Sequence, residues 1–162
     1  MISKLSREER LELYLSQDIN NPRWLFHGSP RLFDKAIPKQ SHDSSGNSVN
    51  IANAVFLFPD FLKVTPYAFK ETIKANSKRL GLQCCFEIPS GKEDFLMIMK
   101  NVNIDENIIG YIYVFDYDDK IKKDDKSLQY KSYEELIPID IVPICYRDYK
   151  EYYQIIGQYK HK

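Results

Sequence analysis

The sequence predicts an α+β fold with a largely antiparallel sheet, and three observations carry that expectation. Helix signals open two stretches: Ser6 with Glu8 and Glu9 behind it near the N-terminus, and Pro59-Asp60 ahead of a second run. Strand-like runs fill most of the rest. After Gly81 they follow one another with no helix between them long enough for a parallel crossover. The 162 residues are 43% hydrophobic and 28% charged, which is enough apolar material for a core and a length that suits a single domain, residues 1–162.

Each element has its own local reason. In the first helix Ser6 is the N-cap, Leu5, Leu11, Leu13 and Leu15 are the apolar positions, and Asn20-Asn21-Pro22 ends it. The run Arg23-Trp24-Leu25-Phe26-His27 is short, aromatic and apolar, and Gly28-Ser29-Pro30 stops it, as a strand entering a turn requires. Residues 38–50, with Ser41, Ser44, Ser45, Gly46, Asn47 and Ser48, form a polar loop of a length that is often functional. A second strand is expected over 51–58, then a helix from Asp60 through Tyr67, Ala68, Phe69 and Ile73 to about Ser77, with Pro66 early enough to be tolerated or to mark a kink. Further strands are expected over 82–88, 95–99, 108–115 and 136–145, the mixed-charge run 116–126 being a solvated loop. Residues 147–159 suit a short terminal helix or a last strand, because Tyr149, Tyr152, Tyr153 and Ile155 choose neither period.

Composition excludes several classes. Lys and Arg total 23 against 23 Asp and Glu, so no global field attracts a polyanion, and a nucleic-acid partner would need a local basic patch. Cys84, Cys85 and Cys145 are odd in number and lack framework spacing, which points to a reducing compartment. The charged N-terminus has no apolar export stretch, and the runs 54–58 and 108–115 fall far short of the ~20 residues a membrane helix needs. A cytoplasmic protein with no membrane partner is expected, with delivery into another cell left open. Cys84-Cys85 and His42 lack metal-ligand spacing, so no metal site is expected.

Aromatic residues make up 14% of the chain, with twelve Tyr, nine Phe and one Trp. Most of these rings are expected in the core. His27 ends an apolar strand and is followed by Gly28 and Ser29, so a ring nitrogen and a closely approached backbone can serve one ligand, although a hydrogen-bonded structural His fits the same position. Phe56 on the second strand and Tyr67 on the next helix can converge on a flat heteroaromatic ring.

Leu25-Phe26-His27-Gly28-Ser29, then Phe56 and Tyr67, then Gln129-Tyr130-Lys131-Ser132 with Pro138 to Val142 beyond, resemble in order and spacing the ADP-ribosyltransferase superfamily. The likeness runs from about Trp24 to Pro143. It implies a split two-sheet core with an N-terminal helix and a helix after the second strand. It also implies NAD as substrate, without a metal, and cleavage of the nicotinamide–ribose bond, with ADP-ribose passing to a macromolecular acceptor, protein rather than nucleic acid. A toxin or effector role goes with it.

By that resemblance His27 holds a ribose hydroxyl and Gly28 and Ser29 meet the nicotinamide amide. Phe56 and Tyr67 stack on the ring, with Lys63 and Thr65 between them. The loop 41–48, with Arg31 or Lys39, would cover the adenosine diphosphate half. Where many members carry Glu, this chain has Gln129, whose amide can hold a hydroxyl but cannot act as a base. Glu134 or Glu135 would complete the site in a shifted register. An inactive member binding a nucleotide or protein partner therefore stands as the alternative, and an RNA 2′-phosphotransferase as a third reading.

Overall fold

Ser6 caps the first helix in a reciprocal box: its hydroxyl accepts from the Glu9 amide at 3.1 Å while the Glu9 carboxylate accepts from the Ser6 amide at 3.1 Å. The computed structural model describes residues 4–40, 53–88, 95–124 and 129–156. In chain order its elements are α1 (Arg7–Ser16), β1 (Trp24–Ser29), β2 (Lys39–Gln40), β3 (Asn53–Leu57), α2 (Phe61–Arg79), β4 (Cys85–Glu87), β5 (Met97–Lys100), β6 (Ile109–Asp116), β7 (Lys122–Lys123), β8 (Tyr130–Ser132), β9 (Asp140–Cys145), α3 (Tyr146–Tyr149) and β10 (Tyr153–Ile156).

The fold is α+β, as the order of helix and strand signals predicts. Among the described residues the strands form three small sheets, in the orders β1-β6-β9, β10-β5-β4 and β2-β3-β8-β7. Pairing is antiparallel in β2 with β3, β3 with β8, β7 with β8 and β4 with β5, and parallel in β10 with β5. The chain divides into two compact units, one made of Met1–His27, Leu32–Phe61 and Tyr113–Val142, the other of Gly28–Arg31, Leu62–Ile112 and Pro143–Lys162.

In the first unit α1 docks through Tyr14, which is buried, while Leu13 and Leu15 are 41% and 45% exposed. Leu5 and Leu11 are half-buried, so the leucine pattern holds in part and misses the residue that anchors the helix. A tyrosine buries a large ring and still satisfies its hydroxyl, which donates to Asp140 Oδ2 at 2.7 Å beside the Arg10 Nε donation at 2.8 Å. The Tyr14 ring meets Trp24 edge-on at 5.1 Å and Phe26 at 5.6 Å, and Phe26 meets Phe61 at 5.3 Å. Gln17 closes the helix end, its amide donating to the carbonyls of Trp24 and Pro59.

The second unit is built on α2. Pro66 inside the helix has no N–H to offer the Leu62 carbonyl, and the Thr65 hydroxyl donates to that oxygen at 2.8 Å instead. Gly81, at φ +76°, ends the helix in a Schellman turn in which the Gly81 and Leu82 amides donate to the carbonyls of Lys78 and Ser77. A Cβ on Gly110 would stand 2.5 Å from the Ala68 carbonyl oxygen, so the glycine that interrupts the apolar run of β6 is what admits the helix. The core here comprises Val64, Ala68, Phe69, Ile73, Met97, Met99, Ile112 and Tyr146, all 2% exposed or less.

Several boundaries differ from expectation. Two-residue β2 precedes β3 in the stretch read as loop, so α2 follows the third strand. The ambiguous C-terminal stretch holds both candidates in succession, α3 and then β10, each of four residues and too short to show a period. The loop expected to cover the adenosine diphosphate half, 41–48, lies outside the described residues. Among the described residues no helix is long and apolar enough to cross a membrane.

Candidate functional site

In the first unit β1 leaves the core at His27: Trp24, Leu25 and Phe26 are buried and His27 is half-buried. Phe26 and Phe58 exchange both backbone hydrogen bonds in a single antiparallel rung, at 2.8 and 2.9 Å. Two residues before Phe58, the Phe56 carbonyl lies 2.9 Å from Nδ1 of His27. A carbonyl oxygen can only accept, so Nδ1 carries the proton, and in the neutral ring Nε2 is the acceptor.

Around the imidazole stand two rings that the sequence reading left among ordinary strand and loop residues. Phe33 and Tyr113 stack with centroids 3.8 Å apart and planes 4° from parallel, and the Phe33 amide donates to the Tyr113 hydroxyl at 2.8 Å. Their centroids lie 6.2 and 6.5 Å from that of His27. The pair therefore walls one side of the imidazole with apolar surface and limits its rotation.

Phe56 is half-buried on β3 and faces Lys131 on β8, whose ammonium is 6.0 Å from the ring centroid. Gln129 lies two residues before Lys131, on the same side of the extended chain, and its carbonyl accepts from the Asp124 amide at 2.9 Å. His27 on β1 thus reaches the Phe56 carbonyl of β3, and Gln129 stands just ahead of β8, the strand that pairs with β3. Glu134 and Glu135 are exposed beyond the end of β8. The Glu134 backbone is held by the Ser132 hydroxyl, and the Glu135 carboxylate pairs with Lys35 at 3.0 Å.

The second unit holds the other predicted residues. A Cβ on Gly28 would collide with the Val64 carbonyl oxygen and stand 3.1 Å from the Ala68 nitrogen and 3.2 Å from Tyr67 Cβ, so Gly28 lies directly against α2 with Tyr67 beside it. Lys63 and Tyr67, one helical turn apart, share a half-buried face of α2. Ser29 accepts from the Arg31 amide at 3.2 Å and shapes the turn after β1. Thr65 stands apart from the group in which the sequence reading put it. It is fully buried, and besides donating to Leu62 its hydroxyl accepts from Tyr153 at 2.5 Å.

No protein-family model, curated protein or solved structure matches the chain. What the site can do follows from its own residues. Within the first unit Nε2 of His27 offers an acceptor held in one tautomer, Phe56 offers a flat face, Gln129 offers a neutral amide, and Lys131 offers positive charge. Such a set suits a ligand with hydroxyls, a flat ring and anionic groups. Among the described residues no three His, Cys, Asp or Glu side chains gather as metal ligands.

Proposed function

We propose that the protein is an NAD-dependent ADP-ribosyltransferase that cleaves the nicotinamide–ribose bond and transfers ADP-ribose to a macromolecular acceptor, a protein rather than a nucleic acid. The observation that carries this reading is the hydrogen bond from His27 Nδ1 to the Phe56 carbonyl. It joins the first and second blocks of the sequence pattern and gives the imidazole the tautomer that receives a ribose hydroxyl. Gly28 packed beside Tyr67 supports the same assignment.

On this reading the sheets belong to a split ADP-ribosyltransferase-like core. His27 orients the ribose, Phe56 lies against the departing ring, and the Gln129 amide holds a second hydroxyl. The oxocarbenium-like state is then favoured by position and electrostatics. Incubation with NAD labelled in its adenylate half, in the presence of cell lysate, tests it: label on protein that is lost in His27→Ala is the expected result. Nicotinamide release without label would mark a glycohydrolase.

Gln129 favours a second reading, an inactive member of the fold that binds a nucleotide or a protein partner, because an amide cannot take a proton from an acceptor. NAD binding without turnover would establish that alternative. Gln129→Glu separates the two, raising turnover if the position is the acidic one of the family pattern.

A further inference from the structure

The β7–β8 pairing produces a feature that linear order hides. Lys122 stands directly opposite Lys131, which in turn stands opposite Phe56 on β3. Directly paired residues of antiparallel strands project to the same face, so the register lines up two ammonium groups and a phenyl ring in one row.

Like charges directly opposite one another destabilise a sheet. The ion pairs of Arg10 with Asp140, Lys35 with Glu135, and Arg147 and Lys150 with Glu106 engage neither lysine. Asp124, two residues along from Lys122 on the same face, brings a carboxylate to the neighbouring rung, against which the two lysines leave the row positive. Lys131 sits at the outer reach of attraction to the Phe56 ring, a weak hold that an anion displaces readily. Lys122 is exposed and Lys131 and Phe56 are half-buried, so the row is open to a ligand.

We propose that the row Phe56–Lys131–Lys122 is a phosphate-binding site for a nucleotide, with the two ammonium groups on phosphate oxygens and the phenyl ring against a flat part of the same molecule. The inference rests on the proposed NAD reading for the identity of the ligand, but it requires binding alone and not cleavage. Two lysines on one strand pair suit a pyrophosphate, whose oxygens spread over a comparable span, better than a single phosphate. The local charge that the neutral composition does not reveal is thus assembled by pairing.

The test uses calorimetric titration of the full chain with ADP-ribose, ADP, inorganic pyrophosphate and nicotinamide, for the native sequence and for Lys122→Met, Lys131→Met and the double variant. ADP-ribose and ADP are expected to bind about tenfold more weakly for each lysine lost, with a shallower dependence on salt, and nicotinamide to bind unchanged. Pyrophosphate binding that follows the same losses assigns them to the phosphates themselves. Lys122→Met should also leave the denaturation midpoint the same or higher, because it removes like-charge repulsion. A residue with a purely structural role would lower it.

ADP-ribose affinity that survives the double variant while His27→Ala abolishes it would overturn the row and leave the proposed enzyme standing. ADP binding that needs both lysines in a protein that cleaves no NAD would uphold the row and remove the enzyme. Failure of the native chain to bind any phosphorylated probe would overturn the row.

Discussion

Thr65→Val tests whether Thr65 serves the fold or a ligand. The threonine is fully buried, and its hydroxyl links the Leu62 carbonyl at 2.8 Å to the Tyr153 hydroxyl at 2.5 Å. Valine keeps the shape and removes the oxygen, so the Tyr153 hydroxyl, on a residue 6% exposed, loses its acceptor. A buried polar group left without a partner costs ~2 kcal/mol. Tyr153→Phe alone keeps the bond to Leu62 and costs ~1 kcal/mol. With both hydroxyls gone no tyrosine donor is stranded, so the double variant should lose ~1.5 kcal/mol, well below the sum of the single changes.

Urea denaturation measures these values. At a slope of ~2 kcal/mol per molar, Thr65→Val lowers the midpoint by ~1 M and the double variant recovers part of the loss. Nicotinamide release at a temperature where all variants are folded should be unchanged. Strict additivity of the two changes, or a loss of NAD affinity with no loss of stability, would refute the structural assignment of Thr65.

Other expectations rest on separate contacts. Gly28→Ala places a methyl group against the Val64 carbonyl and the Ala68 amide, backbone atoms that cannot swing aside, and should cost ~1–3 kcal/mol by thermal unfolding. Gly81→Ala, with open space but φ +76°, should cost ~1 kcal/mol. Asp140→Ala strands the Tyr14 hydroxyl and removes the partner of Arg10, for a loss of ~3 kcal/mol that Tyr14→Phe partly masks in a double-mutant cycle. Burial raises the hydroxyl of Tyr146 from the usual 10 to about 12, and that of Tyr153 higher still. In that range the unfolded chain releases protons that the folded chain retains, so stability should fall as pH rises from ~10 toward 12. Tyr153→Phe should flatten that fall in a pH series of urea titrations.

Local chemistry in the sequence carries the elements whose signals are short-range. Ser6 and Glu9 write the cap of α1, the apolar run ending at His27 writes β1, and Pro59-Asp60 stands immediately before α2. Tertiary choices leave weaker traces. Tyr14 displaces the leucines because Asp140, 126 residues away, satisfies its hydroxyl, and β10 pairs with β5 in parallel through contacts invisible in either segment. In the candidate site, His27 and Phe56 are legible as residue types, while the bond that joins them depends on where β1 and β3 meet. Lys122 sits in a charge run that resembles any solvated loop, and only its register against Lys131 gives it a role.

The account stands most directly on nicotinamide release from NAD by the purified chain, followed by chromatography. It predicts release above the blank that disappears in His27→Ala, with the circular dichroism spectrum of that variant unchanged. Release that is absent in the native chain, or equal in a folded His27→Ala variant, would contradict it.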